Sequence, residues 1–422
     1  MEDYFVEPVT NISFKRSPCS TASHRGLVFV NHEEKRCIRS VTSACSEFLD
    51  SCSYACKAGE FWPEIKKLDY YSHDRAWYEV EYIDHMIAWS EMTNSQIKDC
   101  HIFMCDMLEH LNKSGITCET HMWNITLRNG KPFLFDIGDF QIFNKEIQRA
   151  SLNSVLRNVA DAHVPRELVM PSWLKNGDQV LHNINSCTGD PQSSRNEFVR
   201  SETVDQSNYW DDYNKFSISS IQDVLSSCDN GKDRPVCDYI NKHKPETLTD
   251  IGCNTGKHCF YAAGVAGVNS CVGMDYSAQS INKANEVASN LNLNCSFAYL
   301  DLCNADKIGS EHTGRSVKQR LTSEMVIASA ILHHLFAGIS NSENKLFAKD
   351  IKKCIDVICS YATKYVAIEV IPHEDASVNR PIENWFSMED VKKNIETNGF
   401  KVSSVCNSQA YPRQWVFAEK SI

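Results

Sequence analysis

The residues best suited to chemistry gather around one turn. Residues 249–258 read TDIGCNTGKH, with Asp250 just before Gly252 and Gly256. Glycines there let the main chain approach a ligand with no Cβ in the way. Asp275 lies 25 residues after Asp250 and closes the next apolar stretch. A carboxylate at that place can accept hydrogen bonds from both hydroxyls of a ribose. Asp301 closes a third stretch, in LDL, where it can meet an adenine edge. The pattern describes a site for a nucleoside-bearing cofactor, and a dinucleotide and S-adenosylmethionine are the two candidates. The dinucleotide fingerprint is G-x-G-x-x-G with a pyrophosphate on a helix N-terminus. It fails at its middle glycine, where Asn254 stands. Asp250 would also repel a pyrophosphate, while it would welcome an aminoacyl ammonium.

Further polar residues follow. His333 and His334 close the apolar run EMVIASAIL. Histidine is the side chain best placed to take a proton near neutral pH. As neighbours at a strand end they face opposite sides, so one points to the pocket, with His334 favoured. The alternative is that both simply cap the strand by hydrogen bonding. Glu369 ends YVAIEVI on the same rim, and His373 and Asp375 follow it. These can bind an acceptor, and no ligand spacing marks a metal site. Tyr411 and Arg413, in AYPRQW, either clamp an anionic acceptor or lie in a solvated hairpin loop. Tyr209, Trp210 and Tyr213 either cover the cofactor or pack in the core.

The elements that must position these residues alternate. LTDIG, SCVGMDYS, CSFAYLDL, EMVIASAIL and YVAIEVI read as strands. Helical spacing marks Gly256 to Ala266, SINKANEVASNLNL, FAKDIKKCIDVICSYA and MEDVKKNIETNGF. KVSSVCNS and QWVFAEK pair as a hairpin. The expectation is a Rossmann-like, doubly wound, mostly parallel seven-stranded α/β sheet with a C-terminal antiparallel hairpin. Ligands of such sheets bind at the carboxyl ends of the strands. Residues 186–208 are polar and aperiodic, a linker between a module at 1–185 and a domain at 209–422.

Together DIGCNTG, VGMDYS, LDL, SAILHHL and the GF-plus-hairpin ending resemble the class I S-adenosylmethionine-dependent methyltransferases, over about residues 205–422. The order is similar to bacterial nodulation-type and sugar-associated members. They share an arginine-bearing helix, matched here by Arg315 and Arg320, before ILHHL, and an IEVIP strand after it. The resemblance implies that Gly252, Asn254 and Gly256, with Asp250, line the methionine moiety. It implies that Asp275, beside Tyr276, takes the ribose, and that Asp301 and Leu302 sit near the adenine. The implied activity is in-line methyl transfer to a small-molecule or saccharide-linked acceptor, at oxygen, where positioning does most of the work.

A second constellation lies upstream, in CETHMWNITLRNGKPFLFDIGDF. RNGK reads as the turn of a hairpin. His121, Asn124 and Asp136-Ile137-Gly138 resemble the catalytic and metal loops of kinase-like phosphotransferases, with Asn124 and Asp136 at the magnesium-holding places. Glu119 stands where the catalytic Asp is expected, and EVEYIDH resembles the hinge segment. Residues 1–60 hold no Gly-rich phosphate loop, and Lys35 is the candidate ATP-binding lysine. The expectation is a degenerate α+β kinase-like module that binds substrate or serves structure. A bifunctional phosphotransferase and a non-catalytic scaffold are the alternatives.

The bulk composition narrows the rest. A chain of 422 residues, 42% hydrophobic, can bury two or three cores. A net charge of −11 argues against nucleic-acid and anionic-membrane partners. The start, MEDYFVEPVTNISFKR, has no basic segment followed by an apolar one, and no apolar run is long enough to span a bilayer. The expected location is cytoplasmic, with the 19 cysteines as thiols.

Overall fold

The computed structural model describes residues 4–7, 10–17, 26–69, 75–119, 124–152, 218–302, 315–338, 347–373, 375, 385–408 and 412–421. They fall into two compact units, one drawn from within 1–126, 132–204 and 309–315, the other from within 127–131, 205–308 and 316–422. The expected linker and the residues Tyr209, Trp210 and Tyr213 lie outside the described residues.

The first unit carries an antiparallel sheet ordered β1-β2-β3-β4-β6-β5. Its strands are β1 (Tyr4–Val6), β2 (Ser13–Arg16), β3 (Val28–Asn31), β4 (Arg36–Thr42), β5 (Ile65–Leu68) and β6 (Arg75–Val80). Helices α1 (Ser43–Leu49) and α2 (Cys52–Ala55) follow β4. Helix α3 (Asn94–Asn112) starts at a reciprocal cap between Thr93 and Gln96. Its Ile97, Met104, Leu108 and Leu111 recur at helical spacing and are buried. Strand β7 (Ile116–Cys118) pairs with β10 (Phe140–Ile142), and α4 (Lys145–Leu152) closes the described part. Between them the hairpin of β8 (Ile125–Arg128) and β9 (Lys131–Leu134) turns at Asn129 and Gly130, with φ of 51° and 70°. Two positive φ values are what a two-residue Asn-Gly hairpin turn requires.

Arg39 of β4 is buried, and its guanidinium pairs with Asp136 at 2.5 Å. A Cβ at Gly138 would fall 1.6 Å from Arg39 Nη2, so the glycine makes room for that guanidinium. Lys35 sits instead in the β3–β4 turn at φ 49° and pairs with Asp84 at 3.1 Å. The strand cation facing Asp136 is therefore Arg39, which corrects the expectation placed on Lys35. His121 lies outside the described residues.

The second unit begins with α5 (Ile221–Cys228) and α6 (Arg234–His243). Then come β11 (Thr247–Ile251), α7 (Lys257–Gly264), β12 (Ser270–Asp275), α8 (Ala278–Leu291) and β13 (Cys295–Tyr299). Helix α9 (Val317–Leu321), β14 (Ser323–Ala328), α10 (Leu332–Ala337), α11 (Ile351–Cys359) and β15 (Ala362–Val370) follow. The last elements are α12 (Met388–Thr397), β16 (Phe400–Asn407) and β17 (Gln414–Lys420). The sheet runs β13-β12-β11-β14-β15-β17-β16. β17 is antiparallel to both of its neighbours, and the remaining pairs are parallel. All five residues of β11 are buried, as helices on both faces of a parallel sheet demand. The order of strands reverses between β11 and β14, the place where such sheets open a crevice.

One sequence expectation fails here. The run EMVIASAIL is not strand to its end: β14 stops at Ala328, where its ladder with β15 also stops. Ala330 turns at φ 53°, and Ile331 caps α10. His333 and His334 therefore sit on a helix, about 100° apart around it rather than on opposite faces. An apolar run of that length cannot tell strand from buried helix by periodicity alone. Arg320 lies on α9, fully buried, while Arg315 precedes that helix. Among the described residues no helix is long and apolar enough to cross a membrane.

Breaking the Arg39–Asp136 pair from one side leaves a desolvated charge. Arg39→Met or Asp136→Leu alone is expected to cost about 2 kcal/mol in urea unfolding, and the double variant less than either. Additive losses would show that the two side chains act independently.

Candidate functional site

β11 delivers the chain into a turn with three residues in the left-handed region: Gly252 (φ 71°), Asn254 (φ 48°) and Gly256 (φ 82°). Asparagine is among the few side chains at ease there, so Asn254 keeps the turn that a middle glycine would make. A Cβ on Gly256 would lie 2.7 Å from the Phe297 ring, and one on Gly252 would lie 3.0 Å from Ile331. Asn254 N donates to Asp275 Oδ2 at 2.9 Å, and Ser277 N donates to Asp275 Oδ1 at 2.9 Å. The glycine turn and the carboxylate closing β12 are thus joined directly. Burial pushes the Asp275 carboxyl up to about 6, against those two bonds. Leu300 N donates to the Asp275 carbonyl at 2.9 Å, which brings the end of β13 alongside. Asp301 and Leu302 come just past that strand, not within it, and are partly exposed, as is Tyr276.

Below the turn is a buried ionic set. Asp250 is 1% exposed, and His258, at the start of α7, approaches it with Nδ1 at 3.5 Å. The other imidazole nitrogen, Nε2, lies 3.1 Å from Asp233 Oδ1. Lys257 also pairs with Asp233. Burial alone would lower the His258 pKa, but the hydrogen bond to Asp233 and the charges of Asp250 and Asp233 outweigh it and lift it to about 9. Burial acts upward on Asp233, yet His258 and Lys257 hold it far below the ordinary carboxylate range.

The third group lies on the rim formed by α10, β15 and β17. The His333 and His334 rings lie tilted to one another with centroids 3.9 Å apart. Burial, then the charges of His334 and Arg413, drive the His333 pKa down to about 3. Glu369 is fully buried near the end of β15, and Ser329 Oγ donates to its Oε2 at 2.9 Å. Lys232 Nζ and Arg413 Nη1 stand 3.8 and 3.7 Å from its oxygens. Arg413 Nε also donates to Asp375 at 2.7 Å. Arg413 is thus engaged by two carboxylates rather than held open as a clamp, and Tyr411 lies outside the described residues. His373 is exposed, with its ring 5.6 Å from Trp385, which stacks on Phe386.

His258, Asp233, Lys232, Ser329 and Trp385 escape a reading of the sequence. His258 has a local signal, since it follows the glycine turn in GKH. Asp233 has only the helix-start pattern DRP, with Pro235 in the first turn of α6.

Gly256→Ala is expected to destabilise the second unit by about 2 kcal/mol, through the strained φ and the clash with Phe297. Asn254→Gly should change thermal unfolding by no more than about 0.5 kcal/mol, since both residues accept that φ. Because the folded His258 pKa exceeds its unfolded value, its contribution is complete below about pH 6.5 and lost as pH rises through about 9. Melting temperature should therefore fall between those limits, and His258→Gln should flatten the fall. An unchanged slope would remove His258 from the ionic set.

Residues 242–415 match the family model described as "Methyltransferase domain". The nodulation protein NoeA of Rhizobium meliloti (strain 1021) is 27% identical over 151 residues, 35% of this chain and 30% of the relative. The chain thus spans less than a third of that relative's length. Two solved structures are similar to part of this chain. Magnesium protoporphyrin IX methyltransferase from Synechocystis PCC 6803, with bound SAM, has 16% identity, covers 51% of this chain and 92% of that one, and gives a TM-score of 0.36. The N-methyltransferase NodS from Bradyrhizobium japonicum WM9 has 11% identity, with 46% and 99% covered and a TM-score of 0.32. The residues at the turn fit S-adenosylmethionine. A Cβ would fill the cradle at Gly252 and Gly256. Asn254 Oδ1 and both Asp250 oxygens are buried without hydrogen-bond partners among the described residues. Residues 242–415 thus match a methyltransferase domain.

Proposed function

We propose that this chain methylates a small-molecule or saccharide-linked acceptor at an oxygen. The observation that supports the reading is the hydrogen bond from Asn254 N to Asp275, which brings the glycine turn and the β12 carboxylate together as the two parts of one proposed cofactor site. Gly252, Asn254 and Gly256 hold the aminoacyl end of the cofactor over Asp250. Asp275 and Tyr276 take the ribose, and Asp301 and Leu302 flank the adenine. When bound, the sulfonium supplies a methyl carbon already activated for in-line displacement.

The chain's own residues then orient the acceptor and take its proton. His333 is neutral at pH 7, and its buried Nδ1 has no hydrogen-bond partner among the described residues. It accepts a hydrogen bond from the acceptor hydroxyl, but with a pKa near 3 it is too weak a base to keep the proton. Glu369 Oε1 makes no hydrogen bond among the described residues and is the better proton acceptor. His334 backs His333 on the same helix. Trp385 and His373 offer an aromatic wall to the apolar face of a sugar ring, and Arg413 fixes the carboxylates behind it. The first unit serves as a kinase-like substrate-binding or structural module, since Arg39 engages the Asp136 that a phosphotransferase would give to magnesium.

Calorimetry with S-adenosylhomocysteine should give one site per chain, with affinity weakened at least about tenfold in Asp275→Ala. Equal affinity in that variant would overturn the ribose assignment. Labelled methyl from S-adenosylmethionine should reach a hydroxyl-bearing component of a metabolite extract. Glu369→Gln should slow that transfer by about a hundredfold with cofactor affinity kept. Transfer at the native rate would exclude Glu369 as the base.

A further inference from the structure

We infer that His258 and Asp233 are positioning residues for the cofactor's aminoacyl group: they set the buried Asp250 carboxylate to receive its ammonium. The inference rests on the cofactor reading above and assigns residues that carry no ligand contact of their own.

Asp250 is 1% exposed, and neither oxygen has a hydrogen-bond partner among the described residues. A carboxylate so deeply buried is stable only beside a cation or with a proton bound. The cation beside it is His258, 3.5 Å away and 7% exposed in its side chain. The imidazole is in turn held by Asp233, whose side chain is 1% exposed and also accepts from Asn230 Nδ2 at 2.8 Å. With His258 protonated, two carboxylates, Asp233 and Asp250, balance two cations, His258 and Lys257. Asp250 Oδ1, with no hydrogen-bond partner among the described residues, is then left for one more positive group, which the aminoacyl end of the cofactor brings.

Other ionisable groups act on the same set. Asp275 adds negative charge from β12, and the Cys253 and Cys259 thiols lie near Asp250. The Cys228 thiol faces His258 from α5. None of these supplies a cation to replace the imidazolium. Its removal leaves two buried carboxylates against Lys257 alone, and an interior of low dielectric answers by binding a proton. That proton must leave before an ammonium can bind.

The test is calorimetry at pH 7, in two buffers of different ionisation enthalpy, with S-adenosylhomocysteine and with 5′-methylthioadenosine, which lacks the aminoacyl group. In His258→Gln, S-adenosylhomocysteine should bind at least about tenfold more weakly and release about one additional proton. 5′-Methylthioadenosine should keep its affinity within about twofold. Asp233→Asn, a milder change that conserves shape, should move both readouts the same way by less. Equal weakening of both ligands, or no additional proton release, would overturn the inference and leave a purely structural role. A native chain that binds 5′-methylthioadenosine but not S-adenosylhomocysteine would overturn it too. A native chain that binds neither would overturn the cofactor reading beneath it.

Discussion

The second unit is organised by one small constraint. Gly252, Asn254 and Gly256 all occupy left-handed backbone, and the turn they make is closed by a hydrogen bond from Asn254 N to the Asp275 carboxylate. That geometry ends β11, starts α7 and ties the ends of β11 and β12 together. A side chain at Gly256 would collide with Phe297 of β13, so the third strand of the crevice is held against the same turn.

The second unit holds two largely buried ionic sets. Asp250, His258, Asp233 and Lys257 form one below the turn, and Glu369, Arg413, Asp375 and Lys232 form the other on the rim. Both balance charge internally, as burial requires. They meet in sequence at Lys232-Asp233, where Asp233 belongs to one and Lys232 to the other. The Lys232 carbonyl accepts from Trp415 Nε1 at 2.9 Å, which fixes the loop against β17.

The first unit follows the same rule about buried charge with a different outcome. Arg39 points from the middle of β4 to Asp136 in the loop after β9, and Gly138 leaves space for it. The motif that resembles a metal-binding loop is thus built around a guanidinium. A cation that is part of the chain stands where a phosphotransferase would present its carboxylate to magnesium.

Sequence alone marked the seven strands of the second unit and the sharp turn after β11. Apolar runs of strand length, glycine at sharp turns and a carboxylate one βα unit later are local patterns, and local backbone preferences enforce them. The strand-to-helix change at Ala328 to Ile331 was not legible, because a short apolar run reads the same either way and only the end of the ladder with β15 decides it. Nor was the partnership of Asp233, His258 and Asp250, or of Lys232, Glu369 and Arg413. Those pairings join residues 8 to 137 positions apart, and which carboxylate meets which cation depends on how elements stack. Tertiary structure decided them, since a buried charge must find its partner in space rather than along the chain.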